Sequence, residues 1–128
     1  MADRARIAVG VDGGYFKSVY LHDGYGVLPV LSSYYGSHPN ALGLLELGDL
    51  SRVRIFPGDV DPVPGHSFAN PKPNFTVAYH RDRGEALRPA KLSNWNGLLE
   101  LCCESDADYL YYLPEGSSSW SMMKRCNW

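Results

Sequence analysis

The tripeptide Asp12-Gly13-Gly14 stands between two β-prone runs and constrains this chain more than any other stretch. Arg6 to Val11 alternates loosely, and Tyr15 to His22 is rich in aromatic and β-branched residues. Adjacent glycines supply the backbone angles that a tight reversal needs, so the pattern predicts a β-hairpin. Side chains alternate along a strand, which puts Phe16, Ser18, Tyr20 and His22 on one face and Tyr15, Lys17, Val19 and Leu21 on the other. Both faces are partly apolar, as expected of a central strand with something packed on one side.

Gly24-Tyr25-Gly26 ends the second strand. Val27, Leu28, Val30, Leu31, Tyr34 and Tyr35 then recur at helical spacing up to Gly36, with Pro29 in the first turn, where its missing N–H costs little. Ser37-His38-Pro39-Asn40 opens a second short helix that carries Leu42, Leu44, Leu45 and Leu47 and closes at Gly48. Arg52 to Phe56 reads as a short extended segment. Residues 57 to 74 hold five of the nine prolines and read as one long irregular loop, functional or mobile in a compact domain. Phe75 to His80 is the next strand. Ser93 or Asn94 caps a third helix, Trp95 to Cys103, and Tyr109 to Leu113 and Trp120 to Trp128 are two further strands. Hairpins at both ends predict an α+β fold in one domain spanning residues 1–128. Its mostly antiparallel sheet has about five strands, with two to three short helices packed on one face.

Composition narrows the partners. A hydrophobic fraction of 45%, a charged fraction of 20% and a formal charge of −2 describe a globular chain. There is no basic excess for strong direct nucleic-acid binding and too small an acidic surplus for wholesale DNA mimicry. No apolar run reaches the roughly 20 residues that span a bilayer, and MADRARIAVG contains no signal-peptide core. A cytoplasmic protein without membrane contact is expected. Cys102, Cys103 and Cys126 are an odd count without CxxC spacing, so reduced thiols are expected. A zinc set of these three with a histidine is weighed and set aside, and no metal or cofactor is expected.

The chemistry-bearing stretch is TVAYHRDRGE, residues 76 to 85. If the strand continues, Arg81 and Arg83 project to one face and His80 and Asp82 to the other. Two arginines so placed can clamp a carboxylate or phosphate through bidentate hydrogen bonds. The plainer alternative is a self-paired surface network of Arg81, Asp82, Arg83 and Glu85. His22 and Asp23 end the second strand much as His80 and Asp82 end the third. Were those strands neighbours, two His–Asp sets would converge at one sheet edge and suit acid–base cleavage of a phosphodiester, or a metal. No HExxH, P-loop, GxGxxG or nucleophile elbow accompanies them. Tyr109, Tyr111 and Tyr112 straddle one strand and cannot all be core. With Tyr15, Tyr25, Tyr34, Tyr35 and Tyr79 they give the surplus of aromatics that protein interfaces favour. The apolar tail ending at Trp128 should be docked, in its own sheet or on a second copy by edge pairing.

Three stretches together resemble a known family. VYLHDGYG (19–26), LELGDLSRV (45–53) and VAYHRDRGE (77–85) are similar to motifs of small bacteriophage and prophage proteins, which read VYxHWDGYP, LGDLS and AYHRDRGE in this order. The resemblance runs from about residue 5 to residue 113, and YHRDRGE is its most specific part. This chain lacks the tryptophan between His22 and Asp23 and has Gly26 in place of the proline, so any site lined by that tryptophan is altered here. No activity comes with the family. The resemblance implies a mobile-element setting, where small proteins without evident chemistry are often inhibitors of host defence, anti-CRISPR proteins among them. The expected partner is then a host protein or protein–RNA immune complex, bound and occluded without catalysis. The contacts would come from the strand end at 80–85, exposed tyrosines, and Asp59 and Asp61 of the proline-rich loop. The alternative is a small nuclease, or a protein that binds or degrades a nucleotide signal through His22, His80, Arg81 and Arg83.

Overall fold

The glycine turn reverses the chain as expected. Gly13 and Gly14 take φ angles of 80° and 78°, and β1 (Ala5–Val11) pairs antiparallel with β2 (Tyr15–Leu21) from Ala5↔Leu21 to Val11↔Tyr15. The structure, a computed structural model, describes residues 3–128. Met1, Ala2 and the side chain of Cys126, a member of the zinc set weighed above, lie outside the described residues.

The hairpin is the centre of a seven-stranded sheet. On the free edge of β1, β6 (Tyr109–Leu113) pairs in parallel, and β7 (Ser121–Lys124) adds antiparallel beyond it. The free edge of β2 is divided. β5 (Lys91–Ser93) pairs antiparallel with Phe16 to Ser18, while β3 (Leu50–Arg52) pairs in parallel at Leu21 and carries β4 (Val77–Ala78) antiparallel on its far side. The α+β class is as expected. The sheet is mixed, with antiparallel pairings in the majority, and it has seven strands where about five were expected. The extra strands are only two or three residues long, too short to leave an alternating pattern in the sequence.

Among the described residues four α-helices flank the sheet. α1 (Leu28–Tyr34) holds Pro29 in its first turn, and α2 (His38–Leu45) is capped by the Ser37 side chain, which accepts the Asn40 N–H. Leu31, Tyr35, Leu44 and Leu45 pack on Ile7, Val9, Val19, Leu21 and Leu113 to form the larger core. α4 (Trp95–Glu104), capped by Asn94, lies on the opposite face. There Leu98 and Cys102 meet Ala8 and Leu110, with Phe16, Trp95 and Tyr112 around them. The expected single helical layer is therefore corrected to two. The alternation read along β2 holds, but its Phe16 face is covered too, because the Phe16 ring meets Trp95 at 5.5 Å.

The strand expected over residues 75–80 is also corrected. The strand is limited to Val77–Ala78, β4, and Tyr79–Arg83 forms a short helix, α3, ended by Gly84 at φ 77°. Its start is fixed by Asp82, whose carboxylate reaches back to accept the Ala78 N–H at 2.8 Å. A carboxylate at a helix start satisfies an orphan donor and suits the positive end of the helix dipole.

The two-layer packing is checked by paired truncations. Leu98 is fully buried beneath α4, and Leu92 on β5 is 61% exposed. Leu98→Ala is expected to cost about 2–5 kcal/mol in urea unfolding, and Leu92→Ala no more than about 0.5 kcal/mol.

Candidate binding surface

The helical turn at Tyr79–Arg83 changes what the charged stretch can do. In a helix Arg81 and Arg83 no longer share a face. Arg81 turns inward, and its side chain and that of Asp82 are almost wholly buried. Its Nε donates to Asp82 Oδ1 at 2.8 Å and its Nη2 to Asp82 Oδ2 at 3.0 Å. Nη2 also donates to Thr76 O at 2.7 Å. The two Nη1 hydrogens go to Pro57 O and to Asp59 O. All five guanidinium N–H groups are thereby used within the chain. The expected anion clamp of Arg81 and Arg83 is corrected: Arg81 clamps its own loop. Arg83 stays outside, 3.4 Å from Glu85 and over the Phe68 ring. That pair matches the self-paired surface alternative.

A residue outside the sequence reading completes the cluster. His66, from the middle of the proline-rich loop, is buried and accepts the Lys72 N–H at Nδ1. This assigns the ring proton to Nε2, which faces Asp82 Oδ2 and Thr76 O, each at 3.1 Å. Burial alone would raise the Asp82 pKa. Hydrogen bonds from Arg81 and the Ala78 N–H outweigh it and hold the carboxyl below its ordinary value. His66 could have been suspected, because a histidine in a loop of prolines and glycines has few partners except across the fold.

The consequence is a shaped loop. Its ends meet where Phe56 bridges Phe75, with the Phe56 N–H on Asn74 O and the Thr76 N–H on Phe56 O. Gly58 lies against the guanidinium at φ 73°, and a Cβ there would sit 2.8 Å from Arg81 Nη1, so only glycine fits. Beyond this anchor the loop turns outward and faces α1 and α2 across an open groove of about 850 Å³. Phe56 and Val60, 50% and 52% exposed, and Tyr34 stand on its walls. The titratable side chains lining it are Glu46, Asp59, Asp61 and two tyrosines, with no lysine, arginine or histidine among them. None of the three carboxylates is in an ion pair among the described residues.

The two-histidine edge is not assembled. β3 lies between β2 and β4. His22 Nδ1 bonds to the Tyr20 hydroxyl at 2.8 Å, and exposed His80 donates from Nδ1 to Glu85 O. Asp23 pairs loosely with Arg52 at 3.6 Å, and Asp82 meets His66 instead of His80. Tyr25 is exposed against Tyr109. Tyr79 is half-buried against Phe68, and its burial raises the hydroxyl pKa. Tyr111 is corrected to a core residue whose hydroxyl donates to Gly24 O at 2.7 Å. Cys102 faces the smaller core, where burial pushes its thiol up to about 11, and Cys103 faces outward. Among the described residues no cluster of His, Cys, Asp or Glu is arranged to hold a metal, and no helix is long and apolar enough to cross a membrane.

A second concavity opens where the edge of β2 divides. Between β5 and β3 the Tyr20 N–H has no strand partner and donates to Asp49 Oδ1 instead. The segment 85–91 walls this cleft, and Arg6 forms its floor, 4% exposed. The Arg6 guanidinium bonds to Ser18 Oγ, Ser18 O and Ser105 Oγ. Desolvation lowers its pKa, partly offset by Asp49 and other groups at longer range.

No family model, curated protein or solved structure matches this chain.

Removing Arg81 strands a buried carboxylate, so Arg81→Met is expected to cost about 3–5 kcal/mol and to lower Tm by about 10 °C or more. Arg83→Met, at an exposed pair, should cost less than about 1 kcal/mol. The Asp82 term also has a pH signature. Its folded pKa lies below the unfolded value of about 4, so its contribution is complete above about pH 4 and is lost as pH falls through the folded value. Tm measured from pH 7 to pH 2 should fall at the acid end in the wild type and fall less steeply in Asp82→Asn.

Proposed function

We propose that this chain is a non-catalytic binding protein, a phage- or prophage-type counter-defence inhibitor of the anti-CRISPR kind. It docks on a basic surface of a host protein or protein–RNA immune complex and occludes it. The observation that carries this reading is the groove between the 55–61 segment and the first two helices, which is lined by three carboxylates and no cation. Surfaces built to hold nucleic acid are rich in Lys and Arg, and carboxylates presented on a fixed loop complement them while steering approach. Phe56, Val60 and Tyr34 supply the apolar area that a charged rim alone cannot. The mobile-element setting comes from the motif resemblance. No observation favours the small-nuclease alternative, because His22 and His80 share neither a hydrogen bond nor a cavity.

The reading orders the contact residues differently from the sequence. Asp59 and Asp61 face the partner. Arg81, Asp82 and His66 hold the loop that presents them. His80, Arg83 and Glu85 lie at the surface outside the groove lining. Pull-down from host lysate with the wild-type chain is expected to recover a nucleic-acid-binding defence complex, with capture weakening as salt rises. Asp59→Lys with Asp61→Lys should keep the wild-type Tm and reduce affinity for that complex about 100-fold, since like charges facing each other cost several kcal/mol. His80→Ala with Arg83→Ala should leave it within about threefold. Capture unchanged by the double charge reversal would refute the proposal.

A further inference from the structure

The cleft at the divided edge of β2 is independent of the acidic groove, and its chemistry is different. It has a wide part of about 750 Å³ and a narrow part of about 140 Å³, continuous through shared Tyr20, Asp49 and Arg88. Three cations line the wide part: Arg6, Arg88 and Lys91. Among the described residues none of them lies within ion-pair distance of a carboxylate. Asp49 and Glu104 lie on the same lining, but the Asp49 carboxylate is held by the Tyr20 N–H.

Arg6 is the unusual member. Buried arginines are nearly always matched by an acid, because a desolvated charge without a counter-ion is costly. Here the guanidinium has only neutral oxygen acceptors, and Nη1 donates one of its two hydrogens to Ser105 Oγ, leaving the other without an acceptor among the described residues. A buried fork without an ion-pair partner at the floor of an open cleft is suited to a phosphate. The narrow part is built otherwise. The aromatic residues Tyr20 and Tyr79 line it together with the acceptors Asp49 and Glu85, and His80 and Arg88 complete the polar lining. A flat ring can lie against tyrosine, and exocyclic amino groups can donate to the carboxylates. Asp49 and Arg88 line both parts; of the Asp, Glu, Lys and Arg residues confined to one, the wide part has Arg6, Lys91 and Glu104 and the narrow part has Glu85, so a phosphate is drawn to the wide end.

We propose that this cleft binds a free nucleoside monophosphate, with the phosphate over Arg6, Arg88 and Lys91 and the base in the narrow part beside Tyr20 and Tyr79. The acceptors favour bases that carry an amino group, so AMP, GMP or CMP binds tighter than UMP. No bond is made or broken, and the site needs no residue of the 55–61 segment.

Isothermal titration of the whole chain tests this with AMP, GMP, CMP, UMP, inorganic phosphate and a single-stranded RNA tetramer. At least one amino-bearing mononucleotide is expected to bind at least fivefold tighter than UMP and at least tenfold tighter than inorganic phosphate. Arg6 is buried and its removal endangers the fold, so surface changes are the informative ones. Arg88→Ala with Lys91→Ala should weaken the nucleotide at least tenfold at unchanged Tm. Ala86→Trp, which fills the narrow part, should abolish binding, while Asp59→Lys with Asp61→Lys should leave it unaltered. The proposal is overturned if no mononucleotide binds at millimolar concentration, or if inorganic phosphate binds equally well. Affinity that survives both cleft variants, or an RNA tetramer bound tighter than every mononucleotide, overturns it as well.

Discussion

The two parallel hydrogen bonds from Arg81 to Asp82 organise more of this molecule than any other contact. They join neighbours in sequence, yet their effect is long-range. The pair fixes the start of α3 through the Ala78 N–H and draws in His66 from the middle of the proline-rich loop. It leaves the remaining guanidinium hydrogens for Pro57, Asp59 and Thr76. A buried pair of this kind contributes little net stability against an apolar replacement of the same shape, but breaking one half of it is costly. Its effect here is on conformation. A segment without regular hydrogen bonds of its own is tied to one arrangement, and Asp59, Val60 and Asp61 are carried outward on it.

The sheet supplies the complementary constraint. β1 and β2 are long and fully paired with each other, so the hairpin is the rigid centre. The far edge of β2 is shared between two short strands, and the gap between them exposes Tyr20 and the floor at Arg6. One rigid hairpin thus carries two features of opposite character, an acidic apolar groove reached through α1 and α2 and a cation-floored cleft beside α4. They lie on different elements and differ in charge.

Much of this fold was legible in the sequence where local chemistry decides the outcome. Gly13 and Gly14, the Ser37 and Asn94 caps, Pro29 in a first turn and the aromatic run of β6 each name their structure. The misreadings came where long-range contacts decide. Tyr79 to Arg83 has the composition of a strand end, but Asp82 finds a helix-start N–H and a buried arginine, and the segment coils. The second helical layer was missed because a face of Phe16, Ser18, Tyr20 and His22 is only partly apolar, and nothing local shows that α4 lies over its Phe16 end. The anion clamp failed because the coiled segment separates Arg81 from Arg83, and because spacing does not show what fills the five donors of Arg81. His66 gave only the hint of a histidine among prolines and glycines, since it is the folded loop that brings it to Asp82. The Asp59 and Asp61 carboxylates are visible in the sequence as charges on a proline-rich loop, but the guanidinium that holds their segment lies twenty residues or more downstream.

The central claim is that Arg81 and Asp82 shape the loop and do not themselves contact a ligand. Backbone ¹⁵N relaxation across residues 57–61, in the wild type and in Arg81→Lys, tests it most directly. Lysine keeps the charge but loses the fork that reaches Pro57, Asp59 and Asp82 together. Order parameters of about 0.8 in the wild type should fall below about 0.6 in the variant over this segment alone, with β1 and β2 unchanged. A loop that is equally ordered in both proteins, or already below about 0.6 in the wild type, would contradict the account.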